Sequence, residues 1–130
     1  MSLLQIVPVA LRLADEQTSI TDELGSNPGQ RISFARAPQG LAKPYITLNI
    51  QGADYEATTT SSEASGVYRI DYIIYADTAQ KALTILDALK TVAAAYTNVN
   101  YDVRLLDEDY FVDVDGVHRA TLATTWRTGV

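Results

Sequence analysis

At 130 residues, with 47% apolar and 20% charged side chains, the chain has the make-up of one globular domain, residues 1–130, able to form its own core. It has no cysteine, which excludes disulfides and thiolate metal sites, and no run near the roughly 20 apolar residues that cross a bilayer. A formal net charge of −6, with Lys and Arg scattered singly, argues against a surface for nucleic-acid phosphates or anionic membranes.

Leu3, Val7, Ala10, Leu11 and Ala14 recur at helical spacing, so 3–14 reads as an amphipathic helix. Pro8 requires that helix either to begin near Val7 or to kink. A secretory signal is not expected here, because Gln5, Pro8 and Arg12 interrupt the stretch and no basic region precedes it. A second short helix is expected over Thr18–Leu24, stopped by Gly25. Ile32 and Phe34 alternate with Ser33 and Ala35 as a strand covered on one face. Ala37-Pro38-Gln39-Gly40 has turn chemistry. Tyr45, Thr47 and Asn49 then alternate with Ile46, Leu48 and Ile50 in a clear strand.

From Asp54 to Ser65 the only large side chain is Tyr55. That stretch is expected to be a mobile loop or an extended hairpin arm, one that orders on binding a partner. Val67 to Ala76 is the strongest strand, with Tyr68, Ile70, Tyr72 and Ile74 on one face, and its apolar second half places it centrally in a sheet. Asp77-Thr78-Ala79-Gln80 has the form of a capping box. Behind it Ala79, Ala82, Leu83, Leu86, Leu89, Val92, Ala93 and Tyr96 trace one face of a helix. That helix should run about five turns and pack on the sheet, with Asn98 as its cap. The last third reads as all-β: a strand from Tyr101, an acidic turn at Asp107-Glu108-Asp109, and renewed extension from Tyr110 to Val114. Asp115-Gly116 then makes a two-residue hairpin turn, and a closing strand carries Ala120, Leu122, Thr124 and Trp126 on one face. The class is therefore α+β.

Chemistry-bearing residues are sparse. His118 is the single histidine, and with no nucleophile-elbow sequence near it a solvated position beside the hairpin turn outweighs a catalytic one. Asp113 and Asp115 fit no calcium-loop register, so a solvated acidic edge is the stronger reading. Asp71 is the only carboxylate expected at core depth, and pairing with Arg69 is its expected role. The seven glycines form no phosphate-binding loop. No catalytic, metal or cofactor site is expected. Tyr45, Tyr72, Tyr96 and Trp126 are assigned to the core, and Tyr55 and Tyr110 to interfaces.

Four features occur in order: the leader Ala10–Asp15 through Leu24-Gly25; Arg31-Ile32, Ala37–Gly40 and Pro44-Tyr45-Ile46; the strand Tyr68–Asp77 running into the helix Ala82–Val92; and Gly116-Val117-His118-Arg119 before the closing strand. Together they span nearly the whole chain, and this set resembles the tail-completion (tail-terminator) proteins of long-tailed bacteriophages. The resemblance implies a twisted, mostly antiparallel sheet with one long helix packed on a face and a short N-terminal helix. It implies no enzyme activity. It implies instead a ring-forming virion subunit, typically one of six, assembled in the host cytoplasm and placed at the head–tail joint. There it would cap the head-proximal end of the tail tube, stop its polymerisation and meet the head connector. By position, the ring and partner surfaces would fall on Tyr55, Glu56, Thr58, Thr59 and Glu63 of the 54–67 segment, and on Asp107, Glu108, Asp109 and Tyr110. An acidic lumen would let DNA pass without adhering. The competing classes are a neck or connector adaptor, a small ligand-binding α+β module using the face beneath the long helix, and an oligomeric adaptor unrelated to phage.

Overall fold

A computed structural model describes residues 3–15, 17–25, 31–37, 40–56, 65–98 and 100–127. The strand that sequence makes most apolar organises the rest. β3 (Ser65–Ala76) lies at the centre of a five-stranded sheet of order β1-β2-β3-β5-β4, in which β1 is Ile32–Phe34, β2 Tyr45–Glu56, β4 Asp102–Val112 and β5 His118–Arg127. Only the β1–β2 pair is parallel; β2–β3, β3–β5 and β5–β4 are antiparallel. Tyr68, Ile70, Tyr72, Ile74 and Ala76 are all fully buried, as expected for one face of a central strand.

Three helices, α1 (Leu3–Asp15), α2 (Thr18–Leu24) and α3 (Ala79–Ala95), complete the α+β architecture. α3 packs on β3, β4 and β5, and α1 on β1, α2 and α3. Ile6, Ala10, Leu13, Ile20, Leu24, Ile85 and Leu89 close the core against Ile46, Leu48, Leu122 and Trp126. The Tyr72 hydroxyl donates to the Ala10 carbonyl at 2.8 Å, which ties α1 to the central strand. Lys81 Nζ meets Glu23 Oε2 at 2.9 Å and joins α3 to α2.

α1 runs unbroken through Pro8, which is exposed. As the sixth residue of α1 it forgoes the bond to the Leu4 carbonyl, and the helix continues past it to Asp15. Gly25 ends α2 at φ 87°, a conformation that a Cβ would oppose. The α3 cap is Thr78, not Asp77: the Thr78 hydroxyl accepts from Lys81 N–H at 3.2 Å. The buried face of α3 takes Ile85 in place of Leu83, which is 44% exposed. Its C-cap is Tyr96 rather than Asn98, whose amide donates to the Tyr96 hydroxyl.

The strands also extend further than apolar alternation indicates. β2 and β3 continue as a paired arm, with Tyr55 opposite Gly66 and Glu56 opposite Ser65, so the hairpin-arm alternative describes those residues. Residues 57–64, and with them Thr58, Thr59 and Glu63, lie outside the described residues, as do the side chains of Tyr55 and Glu56. Phe34 is 47% exposed rather than covered, because β1 is a three-residue edge strand that ends where Ala35 turns to φ 65°. Arg31 donates to the carbonyls of Ala42 and Pro44 and fastens the β1–β2 crossing.

The largest departure is in β4. No acidic turn divides it: Asp107, Glu108 and Asp109 pair with Ala123, Leu122 and Thr121 in a continuous edge strand. Leu106 is an extra residue in the ladder, since Leu105 faces Thr124 and Asp107 faces Ala123. Such a bulge reverses the side to which later residues point, so simple alternation from Tyr101 misassigns everything after it. The following turn has three residues, 114–116, rather than two. Asp113 N–H bonds Val117 O, and Gly116 N–H bonds Asp113 O, with Gly116 at φ 79°.

Candidate functional site

Helices cover one face of the sheet, and the other face carries the polar half of each strand. Strand register sets cross-strand rows on that second face. One row is Tyr45–Tyr75–Arg119–Phe111, the next Thr47–Ile73–Thr121–Asp109, and the next Asn49–Asp71–Ala123–Asp107. Tyr45 therefore stands outside the helix-covered core. It is half-buried, with its ring stacked on Tyr75 at 4.9 Å between centroids. The Arg119 guanidinium lies 4.9 Å from the Tyr75 ring centre and 5.7 Å from that of Phe111, within cation–π range of both.

Arg119 is incompletely satisfied. Its Nε lies 3.4 Å from Asp113 Oδ2, near enough for charge attraction, yet it is buried without a hydrogen-bond partner. Asp113 is already committed to the turn: its Oδ1 accepts from Asp115 N–H at 2.9 Å and Val117 N–H at 3.0 Å. The Val117 bond, with help from Asp115, Arg119 and Lys43, holds the Asp113 carboxyl below the usual Asp range against a smaller opposing effect of burial. Asp113 thus serves the turn backbone, and Asp115 is exposed beside it.

Beside this row is a cavity of about 370 Å3, lined by Arg36, Tyr45, Thr47, Tyr75 and Arg119 together with the backbone around Gly40, and by no carboxylate. Sequence reasoning did not connect these residues. The signal was present in the off-core phase of Tyr45, Thr47 and Tyr75, but Arg36 and Arg119 reach them only through the crossing and the register.

Across the face, Asp107 and Asp109 are exposed on β4. Each Oδ1 accepts the next backbone N–H, at 2.8 Å in both cases. Glu108 points to the helix side and pairs with Lys90 of α3 at 3.1 Å. Asp71 is 6% exposed and meets Arg69 Nε at 3.3 Å, the pairing expected of it. Tyr110 is half-buried. Its hydroxyl is 2.6 Å from His118 Nδ1, and the two rings stack.

A groove of about 860 Å3 runs between α3 and β4, bordered by Leu83, Asp87, Lys90, Glu108 and Tyr110. Its hydroxyls are engaged locally: Thr84 donates to the Gln80 carbonyl and Thr91 to that of Asp87. The Tyr110 hydroxyl on its border is engaged with His118 Nδ1. Among the described residues no group of three or more His, Asp or Glu is placed to hold a metal ion. No described helix is long and apolar enough to cross a membrane.

Neither a family model nor a curated protein matches the sequence. In three dimensions the chain is similar to a chain from the virion of a native gene transfer agent particle, at 14% identity and a TM-score of 0.68, with 90% of this chain and 89% of that chain covered. At that identity the likeness is one of fold.

Proposed function

We propose that this chain is a structural virion protein, not an enzyme, that forms a closed ring of about six copies. The ring caps the head-proximal end of a phage tail tube, stops its polymerisation and joins it to the head connector. The observation that carries this reading is the fold likeness to a virion chain over nearly the full length of both proteins. The ordered sequence resemblance to tail-completion proteins supports it independently. The partners are then other copies of the chain, the tail-tube protein and the neck or connector protein, with DNA passing through the ring unbound.

The test is co-expression with the tail-tube protein of the same particle, with electron microscopy of the tubes and light scattering of the purified chain. Tubes of bounded length ending in a ring with a central hole are expected. Tubes of unlimited length, alongside a chain that stays monomeric at every concentration, would overturn the proposal. Binding to the tube without limiting its length would indicate a neck adaptor instead.

A further inference from the structure

Among the described residues of the helix-free face, Arg69 pairs with Asp71 and Arg104 with Asp102, and the charges left unpaired are of opposite sign on its two sides. On the β2–β3 side lies the cavity of Arg36, Tyr45, Thr47, Tyr75 and Arg119. Arg36 is exposed and in no ion pair among the described residues, and Arg119 Nε has no hydrogen-bond partner. On the β4 side, three strand spacings or about 14 Å from β2, Asp107 and Asp109 present exposed carboxylates. Neither is in an ion pair among the described residues. Phe111, two residues on and 45% exposed, shares their face. A chain with a net charge of −6 thus keeps a carboxylate-free basic and aromatic cavity on the face whose far edge offers unpaired carboxylates.

We infer that the Asp107/Asp109 edge of one copy seats against the Arg36–Arg119 cavity of the next. The occupant is a second copy because the charge complement sits on the chain itself, displayed on a paired strand that fixes its spacing. Guanidinium groups bind carboxylates with directional, charge-assisted hydrogen bonds, and the exposed Arg36 guanidinium is the group open to them. The contact joins two unlike patches, so it can run head to tail and closes into a ring when the rotation between neighbours allows. This inference rests on the ring reading and names its lateral contact.

Two variants separate the surfaces: Arg36→Glu disables the cavity, and Asp107→Lys with Asp109→Lys disables the edge. All three side chains are exposed, and circular dichroism checks that the fold is kept. Sedimentation velocity in low salt should show each variant alone with self-association weakened by about 100-fold, as like charges are brought together. An equimolar mixture should regain the wild-type oligomer with the two variants alternating, because the native edge meets the native cavity at one contact and the two charge-reversed surfaces meet at the next. Combining all three substitutions in one chain should restore the wild-type oligomer. The contact is overturned if folded variants fail to co-assemble in the mixture, or if either variant alone assembles like wild type. In the latter case a ring that persists leaves the ring reading standing and removes only this surface. If Arg36→Glu self-associates normally but no longer binds the neck protein, the cavity belongs to that partner and the inference fails.

Discussion

Removing one oxygen atom, in Tyr72→Phe, gives a test whose sign changes with pH. Tyr72 is fully buried, and its hydroxyl donates to Ala10 O at 2.8 Å. The acceptor is an internal helical carbonyl that also receives the N–H four residues on, so no buried group is orphaned and the cost at pH 7 should be about 1 kcal/mol. With an unfolding entropy of about 0.27 kcal/mol/K for a chain of this size, Tm should fall by about 4 °C. Burial, and secondarily Tyr96, raises the Tyr72 pKa far above its usual value near 10. A group whose folded pKa is raised stabilises the fold fully below its unfolded pKa, and that stability is lost as pH climbs. Above pH ~10 the wild type should therefore lose up to about 1.4 kcal/mol per pH unit that the variant does not lose. The two proteins should become equally stable near pH ~10.7, and the variant should be the more stable at pH ~11. Urea denaturation followed by circular dichroism from pH 7 to 11 measures this, and the difference between the two proteins cancels the other tyrosines. A deficit that stays constant through pH 11 would refute the claim that this hydroxyl is sealed in the core.

Thr124→Val keeps side-chain shape but removes the hydroxyl that donates to Ile70 O and accepts from Trp126 Nε1. Stranding the buried indole N–H should cost about 1–3 kcal/mol in chemical denaturation, and Thr124→Ser should recover most of it. Asp113→Asn retains an oxygen acceptor for the turn but loses the charge. Because the folded pKa of Asp113 is depressed, its charge contributes stability above the unfolded value of about 3.9 and loses it as pH falls through the lower folded value. The variant should be less stable than wild type at pH 7, with a gap that closes below pH ~4; a gap that widens on acidification would refute the assigned role.

The parts of the fold readable from sequence are those where burial enforces a period. β3, β5 and α3 each press a full face against the core, so Tyr68–Ile74, Ala120–Trp126 and Ala82–Leu89 show their spacing directly. β4 does not, because as an edge strand it buries little and much of Leu105–Phe111 is exposed. Charged residues there carry no penalty, so three successive acids look like a turn while the backbone ladder passes beneath them. Sequence leaves the β2–β3 arm open between a loop and a hairpin for a related reason. Backbone pairing alone extends a hairpin that begins in the core, and side-chain pattern is not consulted. The exchange of Leu83 for Ile85 is subtler: two residues apart, they lie about 200° from each other on opposite flanks of the stripe, and the Ile85 flank is the one buried.

The site was less legible than the fold because it is a product of register. Tyr45, Tyr75, Arg119 and Phe111 lie on four strands, and nothing local says that they share a row until the Leu106 bulge and the turn at 114–116 are known. Once that row is in place, the acidic edge gains a second physical role. An edge strand of eleven residues, Asp102–Val112, would pair with any compatible edge, its own copy's included. Exposed aspartates at 107 and 109 would face like charge in a symmetric β4–β4 pairing and would be repelled. In the inferred contact the same carboxylates meet opposite charge at the Arg36 cavity of a neighbouring copy. A single feature thus disfavours two-fold β4–β4 pairing and supplies one half of the inferred contact between unlike patches, which, run head to tail, builds a ring with more than two members.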